Sequence, residues 1–194
     1  MKKENEKKLL ALDASSRIIG YSVFDIASKK LETVGHLDLS VETDLIKKVL
    51  KFEVLLEALQ LEFNITEMVI EESLFGYGAG ATSMNTIATL VSVNFGYRLI
   101  CAKKDIIINT ISVNTARAYT FPKIPIRNMA KVKKVKEKEI CFELAQEVIN
   151  HLLPKKVLKS GKNKGESVFE TFSNDIADSW ITGLGFLNKN EKKA

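Results

Sequence analysis

The chain has few of the residues that build cysteine or histidine sites, and it has no long hydrophobic run. Its 194 residues include only two cysteines, Cys101 and Cys141, and two histidines. This scarcity argues against a Cys/His zinc site, and the cysteines, which lack CxxC spacing, are expected to be buried, reduced thiols. No apolar run reaches the roughly 20 residues that a membrane span needs, and the start of the chain is unlike a signal or transit peptide. We therefore expect a cytoplasmic protein that is neither secreted nor membrane-bound.

The charge is only slightly positive overall but strongly uneven along the chain. There are 29 basic and 24 acidic residues, for a net charge of +5. Residues 123–138 contain seven basic residues and one acid, and residues 155–165 contain five lysines and no acid. Such runs are ordinarily solvated surface. Two of them in one small chain favour a nucleic acid as the partner.

The spacing of apolar residues changes between strand and helix periods along the chain. The predicted strands are residues 8–13, 18–26, 31–39, 67–71 and 105–112. The predicted helices are one with an apolar face from Leu45 to Phe63, and residues 82–102, 129–152 and 173–187. Residues 113–128 are predicted to be irregular and 155–171 to form a mobile basic loop. This order predicts an α/β fold in one domain, residues 1–194, with a mixed five-stranded sheet and helices on both faces.

Some details of the helices are also predicted by the sequence. Ser40 or Thr43 suits the start of the first helix, Asn64 suits its end, and Ser173 suits the start of the last. The buried face of the second helix is predicted to consist of Ile87, Leu90, Val91, Phe95 and Leu99.

Four acids lie next to apolar segments, where burying a carboxylate is energetically costly. Asp13 and Glu71 each follow an apolar strand, at the end where ligand sites of α/β sheets lie. Asp175 and Asp178 are one helical turn apart among apolar residues. Singly, each is compatible with a turn or a helix first turn. Together they predict a site for magnesium or manganese, because hard cations prefer oxygen ligands and offset the cost of burying carboxylates.

Three segments resemble the RuvC family of Holliday junction resolvases, within the ribonuclease H-like superfamily. Residues 10–23, LALDASSRIIGYSV, resemble the first strand and hairpin of the family, although Ala14 stands where relatives commonly have Gly. Residues 69–75, VIEESLF, resemble its second motif, and residues 174–179, NDIADS, resemble its closing Asp-x-Ala-Asp helix motif. The length and the many lysines fit a phage or viral relative, and segment 155–165 has no counterpart in the resemblance.

The resemblance implies a ribonuclease H-like fold and a metal-dependent endonuclease that resolves four-way DNA junctions as a homodimer. Asp13, Glu71, Asp175 and Asp178 would bind two magnesium ions, for which manganese substitutes. An aromatic after the glutamate, Phe75 or Tyr77, would enter the junction centre. The lysines expected to contact DNA phosphates are Lys131, Lys134, Lys136 and Lys138, and either of the last two would lie near the scissile phosphate.

Three other functions are compatible with parts of the sequence. A nuclease of the same fold acting on other branched DNA or on an RNA–DNA hybrid would use the same acids. A non-catalytic nucleic-acid-binding module would have no need of four acids facing a phosphate. An actin-like ATPase would share the turn after Asp13 but needs a second domain and further glycine-rich motifs, which this sequence lacks.

Overall fold

The computed structural model describes residues 6–72 and 84–192, which form a five-stranded mixed sheet covered by helices on both faces. The strands are β1 (Lys8–Ala14), β2 (Ile18–Asp25), β3 (Leu31–Asp38), β4 (Ile65–Glu71) and β5 (Ile107–Ile111). Their order across the sheet is β3-β2-β1-β4-β5. The first three form an antiparallel meander, and β4 and β5 run parallel to β1. The predicted fold class is confirmed.

Two separate hydrophobic cores lie against the two faces of the sheet. The helices are α1 (Leu45–Glu62), α2 (Met84–Lys103), α3 (Val113–Thr120), α4 (Ile126–Lys133), α5 (Glu137–Ile149) and α6 (Ser173–Glu191). The core that contains α1 and α2 packs on Leu10 and Leu12 of β1. The core that contains the other four helices packs on Leu9 and Ala11. Successive strand residues therefore point to opposite cores, as the pleat requires.

The predicted helix 129–152 is two helices in the structure. Lys134 ends α4 in the left-handed conformation, with φ 56°, and its amide donates to the Ala130 and Lys131 carbonyls. The chain then restarts at α5, where the side chain of Glu139 accepts from the amide of Lys136. The apolar spacing continues across the break, and for this reason the sequence pattern did not reveal it.

The prediction that residues 113–128 are irregular is wrong. Ser112 caps α3 by accepting a hydrogen bond from the amide of Thr115, and α4 begins directly after Pro125. Proline is compatible with a helix start, because the missing N–H is one that the first turn does not use.

The predicted buried face of α2 is also wrong. Its buried residues are Val93, Tyr97, Ile100 and Cys101, which pack against α1 and the sheet. Four of the five residues predicted to be buried are exposed: Ile87, Leu90, Phe95 and Leu99. Apolar residues occupy both sides of this helix, so spacing alone did not distinguish the core side from the outer side.

Three predicted caps differ in the structure. Asp44, instead of Ser40 or Thr43, caps α1 by accepting from two backbone amides, and Phe63 follows its last residue. Ser173 is the first residue of α6, and its hydroxyl donates to the carbonyl of Pro154 at 2.9 Å.

The lysine-rich segment 155–171, predicted to be a loop, contains a small β-hairpin. Strands β6 (Lys155–Val157) and β7 (Ser167–Phe169) pair antiparallel, separate from the main sheet. A single 3-10 turn, Asn150–Leu152, connects α5 to this hairpin.

The two cysteines are free and buried, as predicted. Burial raises the pKa of the Cys101 thiol to about 12 and also raises that of Cys141, so both stay protonated near neutral pH. In the described part of the chain, no helix is long and apolar enough to cross a membrane.

Candidate active site and nucleic-acid interface

Asp13 and Glu71 end up side by side because their strands are parallel neighbours. Leu12 pairs with Ile70 in the register of β1 and β4, which places the next residues, Asp13 and Glu71, at the same edge of the sheet. Val69 belongs to the core on the α6 side, and Glu71, two residues later, therefore points to that side. Glu72 points the other way and is exposed, so the structure places Glu71 and not Glu72 beside Asp13.

Asp175 and Asp178 reach the same edge because the first turns of α6 lie directly on β2. Gly20 pairs with Asp13, and a Cβ at Gly20 would overlap the backbone carbonyl of Asp175. The hydroxyls of Ser22 and Ser179 lie 2.7 Å apart and fix the next turn to the same strand. Buried apolar residues of α6 surround the two acids on the core side: Ile176, Ala177, Trp180 and Ile181.

The four acids interact with one another. Burial raises the pKa of Asp13 well above its ordinary value, and the charges of Asp178 and Glu71 raise it further. Burial also raises the pKa of Asp175, although Lys138 and a hydrogen bond with Asp13 partly offset the effect. Ionising all of these neighbouring carboxyl groups therefore has an electrostatic cost.

Glu71 is the member of the acidic group that interacts with Arg117, a cation that the sequence argument did not use. Burial and Asp178 raise the pKa of Glu71 to about 7, while Arg117 and Lys138 lower it. Arg117 is on α3, in the segment predicted to be irregular, so its proximity to Glu71 was not foreseen. Its guanidinium also lies 3.8 Å from the carboxylate of Glu137 at the start of α5.

Lys138 is the predicted lysine that lies among the acids. Its ammonium group is 2.7 Å from the carboxylate of Asp178. Partial burial alone would lower the pKa of Lys138, but the charges of Asp178, Asp13 and Asp175 raise it overall. Lys136 and Lys138 could not be distinguished from the sequence, and the structure places Lys138 closer to the acidic group.

A basic concavity of about 590 Å³ adjoins the acidic group. Arg117 and Lys138, which both interact with the acids, also line it, and its one acid, Glu137, is paired with Arg117. The break between α4 and α5 forms part of its wall. The basic residues around it are Arg117, Arg127, Lys131, Lys134, Lys136 and Lys138. All four lysines predicted to contact DNA are among them, although they do not share one helix.

Comparison with solved structures identifies the fold. A Thermus thermophilus RuvC in complex with a Holliday junction substrate matches with a TM-score of 0.63 over 96% of both chains, at 9% identity. Another structure of that RuvC has a TM-score of 0.60 at 10% identity, again over 96% of each chain. The yeast mitochondrial Holliday junction resolvase has a TM-score of 0.58 at 15% identity, over 96% of this chain and 80% of that one. The chain has a RuvC-like resolvase fold.

No family model matches the chain, and no curated protein sequence matches it. The ribonuclease H-like architecture expected from the three motifs is thus confirmed by the structure alone.

The chemistry of the four acids suits a divalent cation. All four side chains are carboxylates, the ligands that magnesium prefers, and a dication would relieve their mutual repulsion. Within residues 6–72 and 84–192, however, no three or more Asp, Glu, His or Cys side chains lie close enough together to hold an ion.

The sequence predicts an aromatic wedge formed by Phe75 or Tyr77. Phe75 and Tyr77 lie outside the described residues, between the end of β4 and the start of α2. Their role remains a prediction from the sequence.

Proposed function

We propose that this chain is a magnesium-dependent endonuclease that resolves four-way DNA junctions by paired hydrolysis, with residues 1–194 acting as one nuclease domain. The observation that carries the proposal is the position of the four acids. Within a RuvC-like fold, they meet at one edge of the sheet, directly beside a basic concavity. Carboxylates adjacent to a basic surface suit the hydrolysis of a phosphodiester by bound metal ions.

Asp13, Glu71, Asp175 and Asp178 would hold two magnesium ions, or manganese in their place. Bound there, the ions would supply an activated water and offset the negative charge that develops on the leaving oxygen. The chain itself positions the acids: two are fixed by strand ends, and two by a helix that rests on Gly20. Lys138 would neutralise part of the scissile phosphate, since its ammonium already lies among the acids.

The basic concavity would hold the strand next to the cleavage position. Lys131, Lys134 and Lys136 line it without a carboxylate partner in the described part of the chain. Arg117 and Arg127 would add guanidinium groups, which bind phosphates through two parallel hydrogen bonds. Such contacts position the backbone and do not select bases.

The paired cut requires two acid sites, and a homodimer would provide them. The exposed face of α2 supports this arrangement, because Phe95 is 67% exposed and Leu99, one turn later, is 50% exposed. A run of large apolar side chains on the surface is typical of a protein interface. Phe75 or Tyr77, from the segment before this helix, would stack on bases at the junction centre.

A cleavage assay tests the proposal. A labelled four-way junction, a linear duplex of the same sequence and an RNA–DNA hybrid would be incubated with protein and magnesium. Parallel samples would contain a chelator. We expect symmetrical, magnesium-dependent nicks on the junction only, and their loss in D13N and E71Q, which keep the size of each side chain and should still bind the junction.

Each other outcome has a definite meaning. Cutting of the hybrid or of forked DNA instead would contradict the junction assignment while retaining the acid site. Tight junction binding without any cutting would favour a binding module. Cutting by D13N would remove Asp13 from the site. Replacing Phe75 or Tyr77 with alanine should reduce cleavage of junctions more than of nicked DNA, and an equal effect would contradict the wedge.

A further inference from the structure

The hairpin formed by β6 and β7 is built onto the first turn of α6. The carbonyl of Pro154, directly before β6, accepts hydrogen bonds from the Ser173 hydroxyl and the Glu170 amide, each at 2.9 Å. Asp175 follows Ser173 by two residues. The base of the hairpin is therefore fixed to the same helical turn that carries one of the four acids.

A second contact fixes the hairpin to the helix that carries Lys138. Phe142 meets Phe169 of β7 edge-to-face, with ring centroids 5.5 Å apart and an interplanar angle of 81°. Phe142 follows Lys138 by four residues and so lies on the same face of α5, about 6 Å further along the axis. The hairpin is thus a direct neighbour of the acidic group.

The loop at the tip of the hairpin has a defined backbone. Gly161 and Gly165 have φ values of 86° and 92°, which other residues rarely adopt. The amide of Gly165 donates to the Leu158 carbonyl at 2.9 Å, and the amide of Leu158 donates to Glu166 at 3.0 Å. The backbone of this loop is ordered, which lowers the backbone entropy lost when the loop binds a ligand.

The lysines of the hairpin fall into two groups. Those at the base are engaged: Lys156 pairs with Glu170 at 2.9 Å, and the ammonium of Lys155 lies 4.8 Å from the centroid of the Phe169 ring. The three at the tip are exposed, and no ion pair joins them to any residue in 6–72 or 84–192. They are Lys159, Lys162 and Lys164.

We propose that the β6–β7 hairpin binds the sugar-phosphate backbone of a duplex DNA arm beside the cleavage position. Three unpaired ammonium groups lie on an ordered loop whose base is fixed to the turn that carries Asp175. They match the high negative charge density of duplex DNA. Contacts of this kind with the sugar-phosphate backbone add affinity without selecting bases. This inference rests on the proposed function, since it takes the acidic group as the point where DNA is cut.

The salt dependence of binding tests the hairpin directly. The triple variant K159Q/K162Q/K164Q of the full chain would be compared with the wild type for binding a labelled four-way junction. Chelator would be present and the salt concentration varied. We expect the slope of log affinity against log salt to become shallower by about 1 to 3, and affinity at low salt to fall at least about tenfold. The variant K159R/K162R/K164R keeps the three charges and should show the slope and the affinity of the wild type.

A matched variant removes the same charge far from the hairpin. In K30Q/K189Q/K192Q, Lys189 and Lys192 lie at the opposite end of α6, roughly 16 Å or more along the helix from Asp178. Lys30 follows Lys29, whose side chain contacts Asn188 and Glu191 at that same end. This variant should keep the wild-type slope. An unchanged slope in the hairpin variant, or an equal decrease in both, would overturn the hairpin proposal alone. Failure of the wild type to bind the junction would overturn both it and the proposed function.

Discussion

Gly20 lies opposite Asp13 and beneath the carbonyl of Asp175, so a residue without chemistry of its own positions two acids. Any Cβ there would overlap backbone atoms of α6, which cannot turn aside as a side chain can. Replacing Gly20 with any larger residue would therefore displace α6. At the scale of single residues, the geometry of the acid site depends on this close approach.

Replacing Gly20 with alanine is expected to impair cleavage more than folding. The first turn of α6 would be displaced, which should destabilise the protein by about 1–3 kcal/mol and reduce single-turnover cleavage by about 100-fold. Chemical unfolding and junction cleavage would be measured on the same variant. Gly35→Ala is the control, because its added methyl meets the side chain of Tyr21 instead of backbone. Similar cleavage by both variants would contradict this role of Gly20.

Asp25 gives a prediction for pH at the opposite end of β1. Hydrogen bonds from Ser28, and then from Lys8, hold the pKa of Asp25 well below its ordinary value. A folded-state pKa below the unfolded value of about 3.9 stabilises the fold above that pH. The contribution decreases as the pH falls below about 3.9 and is lost as the pH falls through the folded-state pKa. Urea unfolding of D25N should show a weaker decline in stability than the wild type between about pH 5 and 3. Parallel curves would contradict the prediction.

The choice between Glu71 and Glu72 shows what the sequence can and cannot predict at this scale. The end of an apolar run correctly indicated a residue at the sheet edge. The side to which it points depends on whether Val69 or Ile70 faces α6, and both are apolar. Arg117 was missed because its helix has only eight residues and little apolar pattern.

At the scale of elements, the break between α4 and α5 shapes the basic concavity. Lys134 occupies a left-handed position that costs a residue with a side chain about 1 kcal/mol. The break turns the chain so that lysines from two helices line one surface. The sequence did not predict this break, because glycine usually occupies the left-handed position after a helix and here the residue is a lysine.

Replacing Lys134 with glycine should separate stability from binding. We expect unfolding free energy to rise by about 1 kcal/mol, because the strain is relieved. Junction affinity should fall, because a cation of the concavity is lost. Lys123→Gly is the matched control: Lys123 also has a positive φ, 75°, but does not line the concavity. It should gain stability with unchanged affinity, and a loss of affinity in both variants would contradict the role of Lys134.

At the scale of the whole molecule, the exposed face of α2 decides the expected assembly. Its buried and exposed sides are both apolar, and the sequence pattern predicted the wrong one as core. The sheet order was more predictable, since three strands joined by short turns form a meander and strands joined by helices run parallel. The sequence pattern of α2 did not indicate which of its two apolar sides packs on the core and which is exposed.

Charging this face should dissociate a dimer without unfolding it. In F95K/L99K, we expect the dimer Kd to rise at least about 100-fold and junction cuts to become single, unpaired nicks. Light scattering and a plasmid-borne junction would report the two effects. V148K/L152K alters exposed apolar residues beyond the other core and should leave both unchanged. A wild type that stays monomeric when bound to junctions would contradict the paired cut.

The sheet also separates the two cores, one carrying α1 and α2 and the other carrying α6 with its acids. A change of packing in the first core affects the second core only through the sheet that lies between them. The core that contains α1 and α2 can therefore change its sequence with little effect on the acids, whose positions depend on the other core. Among homologous chains, we expect α1 and α2 to diverge fastest, so that one acid site is inherited by proteins whose subunits meet in different ways.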